Sequence, residues 1–177
     1  FVSPKQVRVR GEPSLLAGMA TQLAGEYGID TARIYVAGLS AGAAMAMVLG
    51  ETYPEVFAAL AVHSGLPLDA ARDVPSAFAA MAGRSKPRAA THASRSMHPV
   101  PGLVIHGEAD RTVVPGNGDA VVRQLRARYE HGNRMALVLR STTEPTHAKS
   151  CFHTADGRLV IEHWSVRNGG HAWSGGS

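Results

Sequence analysis

The first part of the chain carries apolar residues at helical spacing. From residue 13 to residue 27 they predict an amphipathic helix, and Gly28 offers the left-handed backbone conformation that commonly ends helices. The apolar positions of this helix are Leu15, Leu16, Met19, Ala20, Leu23 and Tyr27. A second helix is expected over residues 41–53, an Ala- and Met-rich segment that Pro54 terminates.

Short continuous apolar runs, separated by polar segments, predict the strands. They lie at residues 33–37, 57–63, 102–106, 135–139, 151–154 and 158–166. The dipeptide Asp156-Gly157 between the last two runs is typical of a hairpin turn, and a helix over residues 119–130 follows the third run. Helices that alternate with buried strands are typical of an α/β fold, with a mostly parallel sheet and helices on both faces.

The pattern weakens over residues 66–101, which are rich in Pro and polar residues and contain a short predicted helix at residues 75–82. This segment is an excursion between two strands. We expect it to lie beside the carboxyl ends of the strands, where open α/β sheets bind their ligands, as a rim that contributes to substrate choice. The 177 residues are otherwise expected to form one domain, because that length is close to the usual domain size.

Composition narrows the class of protein. With 45% apolar and 18% charged residues, the chain can bury a core and is not intrinsically disordered. The net charge of +4 comes from scattered arginines. The most basic stretch, residues 83–97, lacks interleaved aromatic residues and is expected to be a solvated loop, so we expect no nucleic-acid partner. No apolar run approaches the roughly 18 residues of a bilayer span.

Residues 38–42, Gly-Leu-Ser-Ala-Gly, match G-x-S-x-G, a motif that places a serine on a sharp turn between a strand and a helix. The strand predicted at residues 33–37 and the helix predicted at residues 41–53 lie on either side of this serine, as the motif requires. We expect Ser40 to be a nucleophile and the backbone N–H of Ala41 to stabilise an oxyanion. A Cβ atom at Gly38 or Gly42 is expected to strike the neighbouring strand or helix. The alternative is a glycine-rich turn in which Ser40 is an ordinary helix N-cap.

A nucleophilic serine needs a base and a carboxylate that orients the base. Asp110 follows the third predicted strand, at the end where α/β sheets place their ligands. His171 follows the last predicted strand, in a glycine-rich loop. The order Ser40, Asp110, His171 is that of the α/β-hydrolases, and we expect these residues to form a catalytic triad.

Other acidic residues compete with Asp110. Glu108 is its nearest rival. Asp69 and Asp73 lie in the excursion, and Asp119 is explained as the N-cap of the helix that it begins.

The remaining histidines suggest no further chemistry. His63 and His106 end predicted strands and are expected to be hydrogen-bonded structural groups, with a place on the floor of the site as the alternative for His63. No Cys or His pair has zinc-ligand spacing, and no phosphate-binding glycine motif follows a strand. We therefore expect no metal and no nucleotide cofactor.

Five stretches of the sequence together resemble the poly(3-hydroxybutyrate) depolymerase-like esterases, which are α/β-hydrolases related to feruloyl and acetylxylan esterases. They are residues 36–42 (VAGLSAG), 53–57 (YPEVF), 63–65 (HSG), 106–110 (HGEAD) and 169–176 (GGHAWSGG). The resemblance covers residue 12 to the C-terminus, and the last stretch is more specific than the serine turn.

The resemblance implies a carboxylic ester hydrolase with Ser40 as nucleophile, Asp110 as acid and His171 as base. It implies an ester substrate, either a polyester oligomer or an acylated saccharide, and no cofactor. The expected substrate-binding residues are Trp173, Leu39 and His63, with a packing role as the alternative for Trp173. An extracellular or periplasmic location is expected, although residues 1–12 lack the charged and apolar stretches of a signal peptide. The oligomeric state stays open.

The ends of the sequence depart from the family. Its members begin with several strands and a His-Gly-Cys-like loop that supplies a second oxyanion amide, and they continue past the histidine loop into a closing helix. We therefore expect residues 1–177 to be the C-terminal catalytic half of a larger domain, incomplete at both ends. Three alternatives remain open: a feruloyl or acetylxylan esterase, a serine peptidase or acyltransferase on the same fold, and a non-catalytic fragment.

Overall fold

A computed structural model describes residues 11–84, 99–132 and 135–175 of the chain. The helices within these ranges are α1 (Glu12–Tyr27), α2 (Ala41–Thr52), α3 (Val74–Met81) and α4 (Gly116–Ala127). The strands are β1 (Tyr35–Leu39), β2 (Ala59–His63), β3 (Gly102–Gly107), β4 (Val138–Thr143), β5 (His147–His153) and β6 (Leu159–Val166). A 3₁₀ turn at Thr31–Arg33 precedes β1, and a π-helical turn at Arg128–Gly132 follows α4.

The described strands form one mixed sheet in the order β1-β2-β3-β6-β5-β4. Strands β1, β2, β3 and β6 are parallel, whereas β5 and β4 are added antiparallel to β6. The carboxyl-terminal residues of the parallel strands are in register, with Leu39 opposite His63 and Gly107 opposite Val166. Every loop that leaves one of these strands therefore starts at the same edge of the sheet, as the α/β prediction required.

Helices α2 and α4 pack against one face of this sheet. A Cβ atom added to Gly50 of α2 would lie 2.4 Å from the Leu60 side chain, and one added to Gly102 would lie 2.7 Å from Leu125 of α4. Leu60 and Gly102 are register partners, so both contacts are on the same face. The core between them comprises Ala43, Met47, Leu60, Val62, Val100, Val104, Val121, Val122, Leu125, Tyr129, Phe152, Val160 and Ile161. The prediction placed helices on the opposite face of the sheet as well. On that face Tyr35 of β1 is 64% exposed.

Helix α1 has the predicted extent but not the predicted buried face. Its C-cap, Gly28, has φ 61° and is left-handed, which confirms the predicted end of the helix. The side chains that bury are instead the small residues Ala17 and Ala24, together with Pro13. The larger apolar residues Leu15, Leu16, Met19, Leu23 and Tyr27 are exposed. Ala17 lies in one buried cluster with Leu49 of α2 and with Tyr53 and Phe57, which follow α2.

Several element boundaries differ from the predictions. β1 ends two residues later than predicted, at Leu39, because the backbone keeps pairing with β2 up to His63. The prediction placed the fourth strand at residues 135–139, whereas β4 spans Val138–Thr143. β4 is exposed along its whole length at the sheet edge, and its residues 140–143 are polar, so the apolar run that predicted the strand ends before them. Helix α4 begins at Gly116 with Pro115 in the N-cap position, and the expectation that Asp119 is the N-cap was wrong.

The excursion contains the predicted short helix as α3. Asp73 begins α3 with a reciprocal capping box to Ser76. The Nδ2 atom of buried Asn117 in α4 donates to the carbonyls of Ala80 at 3.0 Å, Val114 at 3.2 Å and Met81 at 3.3 Å. Asn117 thereby joins the C-terminal end of α3 to the start of α4. Residues 85–98, which include most of the basic stretch, lie outside the described residues.

None of the helices in the described ranges has both the length and the apolar character that a membrane-spanning helix requires.

Asn117→Asp should test the junction between α3 and α4, because a carboxylate cannot donate to the carbonyl oxygens that accept from the Asn117 amide. We expect the free energy of unfolding at pH 8 to fall by about 2–4 kcal/mol. The deficit should shrink on acidification, since a protonated carboxyl group can donate again. Chemical denaturation at several pH values measures both effects. The control is Asn168→Asp at an exposed left-handed position with φ 58°, which should unfold like the wild type. An equally stable Asn117→Asp protein would contradict the described junction.

Candidate active site

Ser40 lies on the turn between β1 and α2, in a backbone conformation that is rare for a non-glycine residue. Its φ is 57° and its ψ is −117°, and its N–H donates to the carbonyl of His63 at 3.0 Å. Such left-handed geometry costs about 1–3 kcal/mol and is typical of functional sites. Within the described residues the Ser40 side chain makes no capping hydrogen bond to α2. The interpretation of Ser40 as an ordinary N-cap therefore does not hold.

The two glycines of the motif, Gly38 and Gly42, differ in whether a Cβ atom would clash with neighbouring backbone. A Cβ atom at Gly38 would lie 2.1 Å from the carbonyl oxygen of Gly42 and 2.6 Å from the backbone N of Ala43. The expected steric reason is confirmed for Gly38, where β1 and the start of α2 touch through backbone atoms. It was wrong for Gly42, because a Cβ atom there would meet no described atom within 4 Å.

Asp110 follows β3, and its side chain is fully buried. Its Oδ1 accepts from the backbone N–H groups of Thr112 and Val113, both at 2.9 Å. Its Oδ2 accepts from Nδ1 of His171 at 2.8 Å. Burial by itself would raise the pKa of Asp110, but the hydrogen bonds from His171, Val113, Thr112 and the Ser64 hydroxyl outweigh it and lower the pKa. The carboxyl group is therefore held as an anion.

His171 lies in the loop after β6, which packs closely against the end of β3. A Cβ atom at Gly107 would lie 2.2 Å from the carbonyl oxygen of Gly169, and Ala109 donates its N–H to that oxygen at 2.9 Å. The His171 side chain is 21% exposed. Its Nδ1 carries the proton, because the Asp110 carboxylate can only accept. Nε2 is consequently the nitrogen that can accept a proton from another group.

His63, at the end of β2, connects the serine turn with the histidine loop. It is 2% exposed, and its ring lies 5.3 Å from the Trp173 ring in an edge-to-face arrangement. Its Nε2 accepts from the N–H of Ser174 at 3.1 Å and lies 2.9 Å from the Ser174 hydroxyl. Its Nδ1 lies 3.2 Å from the hydroxyl of Ser64. Sequence reasoning missed Ser64 and Ser174, although both lie in stretches that carry the family resemblance.

The predicted substrate-binding residues occupy different environments. Trp173 is 54% exposed, and Leu39, the last residue of β1, is half-buried. Both ring nitrogens of His63 already have hydrogen-bond partners. A substrate contact by these three residues stays a prediction.

The competing residues have other partners. Glu108 is exposed and accepts from the hydroxyl of Ser165 at 2.9 Å. Buried His106 donates from Nε2 to the carbonyl of Val113 at 2.8 Å, as expected for a hydrogen-bonded structural group, and the same nitrogen lies 3.5 Å from Oδ2 of Asp110. Over the described ranges no three His, Cys, Asp or Glu side chains gather in a way that could hold a metal ion.

Comparison with protein-family models decides the family. Residues 9–133 match the model described as Esterase PHB depolymerase. The chain belongs to this family. The match includes Ser40 and Asp110 and ends before His171.

Curated relatives extend the similarity beyond the matched segment. Poly(3-hydroxyalkanoate) depolymerase C of Paucimonas lemoignei is 33% identical over 93% of this chain and 41% of its own length. Poly(3-hydroxybutyrate) depolymerase of Ralstonia pickettii is 30% identical over 86% of this chain and 32% of its own length. The chain therefore spans less than half of the length of these relatives. Acetylxylan esterase A of Aspergillus ficuum is 46% identical, over 32% of this chain and 18% of its own length.

A solved structure agrees on the fold. The acetyl xylan esterase from Aspergillus awamori superimposes with a TM-score of 0.73 at 20% identity, over 91% of this chain and 62% of that chain. The predicted α/β-hydrolase fold is thereby confirmed for this member of the Esterase PHB depolymerase family.

Gly38→Ala and Gly42→Ala form a matched pair that tests the serine turn. We expect Gly38→Ala to lower the free energy of unfolding by about 3 kcal/mol or more, because the new methyl group meets backbone that cannot move aside. Gly42→Ala adds a methyl group in open space and replaces a poor helix former, so it should be neutral or stabilising by up to about 1 kcal/mol. Thermal and urea unfolding measure both. Equal effects of the two substitutions would refute the described contact.

Proposed function

We propose that this chain carries the catalytic triad of a serine carboxylic ester hydrolase, with Ser40 as nucleophile, His171 as base and Asp110 as acid. The observation that carries the proposal is the 2.8 Å hydrogen bond from His171 Nδ1 to the buried Asp110 carboxylate. The strained conformation of Ser40, at the same edge of the sheet, supports it. Membership of the Esterase PHB depolymerase family is consistent with the same chemistry.

In the proposed reaction the Ser40 hydroxyl oxygen attacks the ester carbonyl carbon while His171 Nε2 takes the hydroxyl proton. The Asp110 carboxylate holds Nδ1 of the ring and stabilises the imidazolium that forms. When the tetrahedral intermediate collapses, the C–O bond to the alcohol breaks and Nε2 returns the proton to that alcohol. Water then attacks the acyl-enzyme in the same way, which releases the acid and restores Ser40.

The oxyanion of the tetrahedral intermediate needs hydrogen-bond donors. Ala41 is the first residue of α2, so its N–H has no acceptor within the helix and is free to serve this role. The positive end of the α2 dipole adds a favourable field at the same place.

The proposed substrate class is a hydroxyalkanoate polyester or its oligomers. The relatives that match along 86–93% of the chain are named as depolymerases of such polyesters. An acetylated saccharide is the second candidate, because the acetylxylan esterases share a higher identity over a shorter segment. We also propose that residues 66–101 form a rim that contributes to substrate choice, and that the protein is extracellular or periplasmic.

Ser40→Ala should abolish hydrolysis of p-nitrophenyl butyrate, and a fluorophosphonate probe should label Ser40 in the wild-type protein. The matched control is Ser141→Ala, which removes an exposed hydroxyl group from β4 and should leave both readouts unchanged. Peptide mapping of the labelled protein identifies the modified residue. Labelling at another position, or undiminished turnover by Ser40→Ala, would refute the proposal.

Parallel assays on 3-hydroxybutyrate oligomers, acetylated xylan and peptide anilides distinguish the substrate classes. The proposal expects the oligomers to be cleaved with the highest kcat/KM. A preference for acetylated xylan would favour the second candidate, and cleavage of anilides alone would identify a peptidase.

A further inference from the structure

His63 contacts both halves of the proposed active site through two different atoms. Its main-chain carbonyl, at the end of β2, accepts from the N–H of Ser40 at 3.0 Å. Its side-chain Nε2 accepts from the N–H of Ser174 at 3.1 Å, and Ser174 lies three residues after His171. Only the covalent bonds of one residue separate these two contacts. His63 therefore relates the position of the serine turn to that of the histidine loop.

The loop that carries His171 is also fixed to β3, but on the other side of the histidine. The N–H of Ala109 donates to the carbonyl of Gly169 at 2.9 Å, two residues before His171. Residues 169–176 contain four glycines, and glycine restricts the backbone least of all residues. One contact before His171 would leave the direction of the segment free. The contact at Ser174 supplies a second fixed point, so the histidine lies between two anchors on neighbouring parts of the sheet.

The residue before Ser174 strengthens this second anchor. The ring of Trp173 lies 5.3 Å from the ring of His63 in an edge-to-face arrangement, which is favourable for aromatic rings. The hydroxyl of Ser174 lies 2.9 Å from Nε2 of His63 and adds a second polar contact to the same nitrogen. Two consecutive residues of the histidine loop thus contact one buried side chain.

The contact with Ser174 requires one protonation state of His63. A backbone N–H can only donate, so Nε2 must carry a lone pair and the proton of the neutral ring is on Nδ1. The hydroxyl of Ser64, 3.2 Å from Nδ1, can accept that proton. Burial lowers the pKa of His63 and so favours the neutral ring. The charged groups that face the ring are His106 and His171, which also lower this pKa, and Asp110, which raises it.

We propose that His63 is a positioning residue of the catalytic triad, which holds Ser40 through its carbonyl and the His171 loop through Nε2 and so sets the distance between nucleophile and base. This inference rests on the proposed function of Ser40 and His171. It replaces the expected substrate contact of His63 with a contact inside the protein. The side chain is buried, and its Nε2 lone pair is already used by Ser174.

Two substitutions of His63 test the proposal. His63→Leu removes the acceptor, whereas the side-chain oxygen of His63→Gln reaches the position of Nε2 and can accept from Ser174. For His63→Leu we expect kcat on p-nitrophenyl butyrate to fall about 10- to 100-fold with KM within about twofold, because a misplaced base slows the chemical step. His63→Gln should stay within about fivefold of the wild-type kcat. The rate of fluorophosphonate labelling of Ser40 should follow kcat in both variants.

The matched control is His153→Leu. His153 pairs with Leu159, the first residue of β6, and therefore lies at the edge of the sheet away from the site. Its kcat and KM should equal those of the wild type. A raised KM with an unchanged kcat in His63→Leu would identify a substrate contact and overturn the proposal. Equal losses of kcat in His63→Leu and His63→Gln would also overturn it, because the acceptor would then have no role.

Amide hydrogen exchange in the wild-type protein tests the tether without any substitution, which keeps the proposal falsifiable if His63→Leu folds poorly. The N–H of Trp173 makes no hydrogen bond to a described atom and is the control for the neighbouring N–H of Ser174. After correction for intrinsic rates, the Ser174 amide should exchange at least about tenfold more slowly. Equal rates would overturn the proposal. A wild-type protein without hydrolysis and without Ser40 labelling would instead refute the proposed function, since the exchange rates report on the tether alone.

Discussion

The Asp110 carboxylate is the group on which the candidate site depends. It is buried after the end of β3 and accepts from the backbone of its own loop and from His171 after β6. A buried carboxylate without such donors would protonate. Because these bonds lower its pKa, the ionised form stabilises the fold above the unfolded-state value of about 3.9. This contribution is lost as the pH falls through the lower folded-state pKa.

The sheet explains how residues so distant in sequence reach one carboxylate. Parallel strands direct all their carboxyl ends to one edge, and β2, β3 and β6 are neighbours in the sheet order. Backbone contacts then set the spacing of the loops. Gly38 permits the close approach of the serine turn to α2, and Gly107 permits the close approach of the histidine loop to β3. Both contacts are between main-chain atoms, so the backbone sets the distances between the loops that carry the site.

The sequence was sufficient to predict the alternation of helices and strands and the turn that carries Ser40, and it singled out Asp110 and His171, whose side chains are hydrogen-bonded to each other in the structure. These features depend on local signals, such as the glycines around Ser40 and the apolar runs before Asp110. The buried face of α1 was not predictable from apolar spacing, because the small residues Ala17 and Ala24 are buried whereas the larger apolar residues of the helix are exposed. The predicted bounds of the edge strand β4 were also wrong, because this strand is exposed along its whole length and an apolar pattern does not mark where it ends.

The most direct test of this account is an NMR measurement of the proton on Nδ1 of His171. In protein with ¹⁵N-labelled histidine, the account predicts a far-downfield imidazole N–H resonance that is absent from His171→Ala. The resonance should be lost or move strongly upfield in Asp110→Asn, and it should be unchanged in Glu108→Gln, where the altered carboxyl group bonds only Ser165 among the described contacts. An unchanged resonance in Asp110→Asn, or its loss in Glu108→Gln, would contradict the assignment of Asp110 as the group that holds the base.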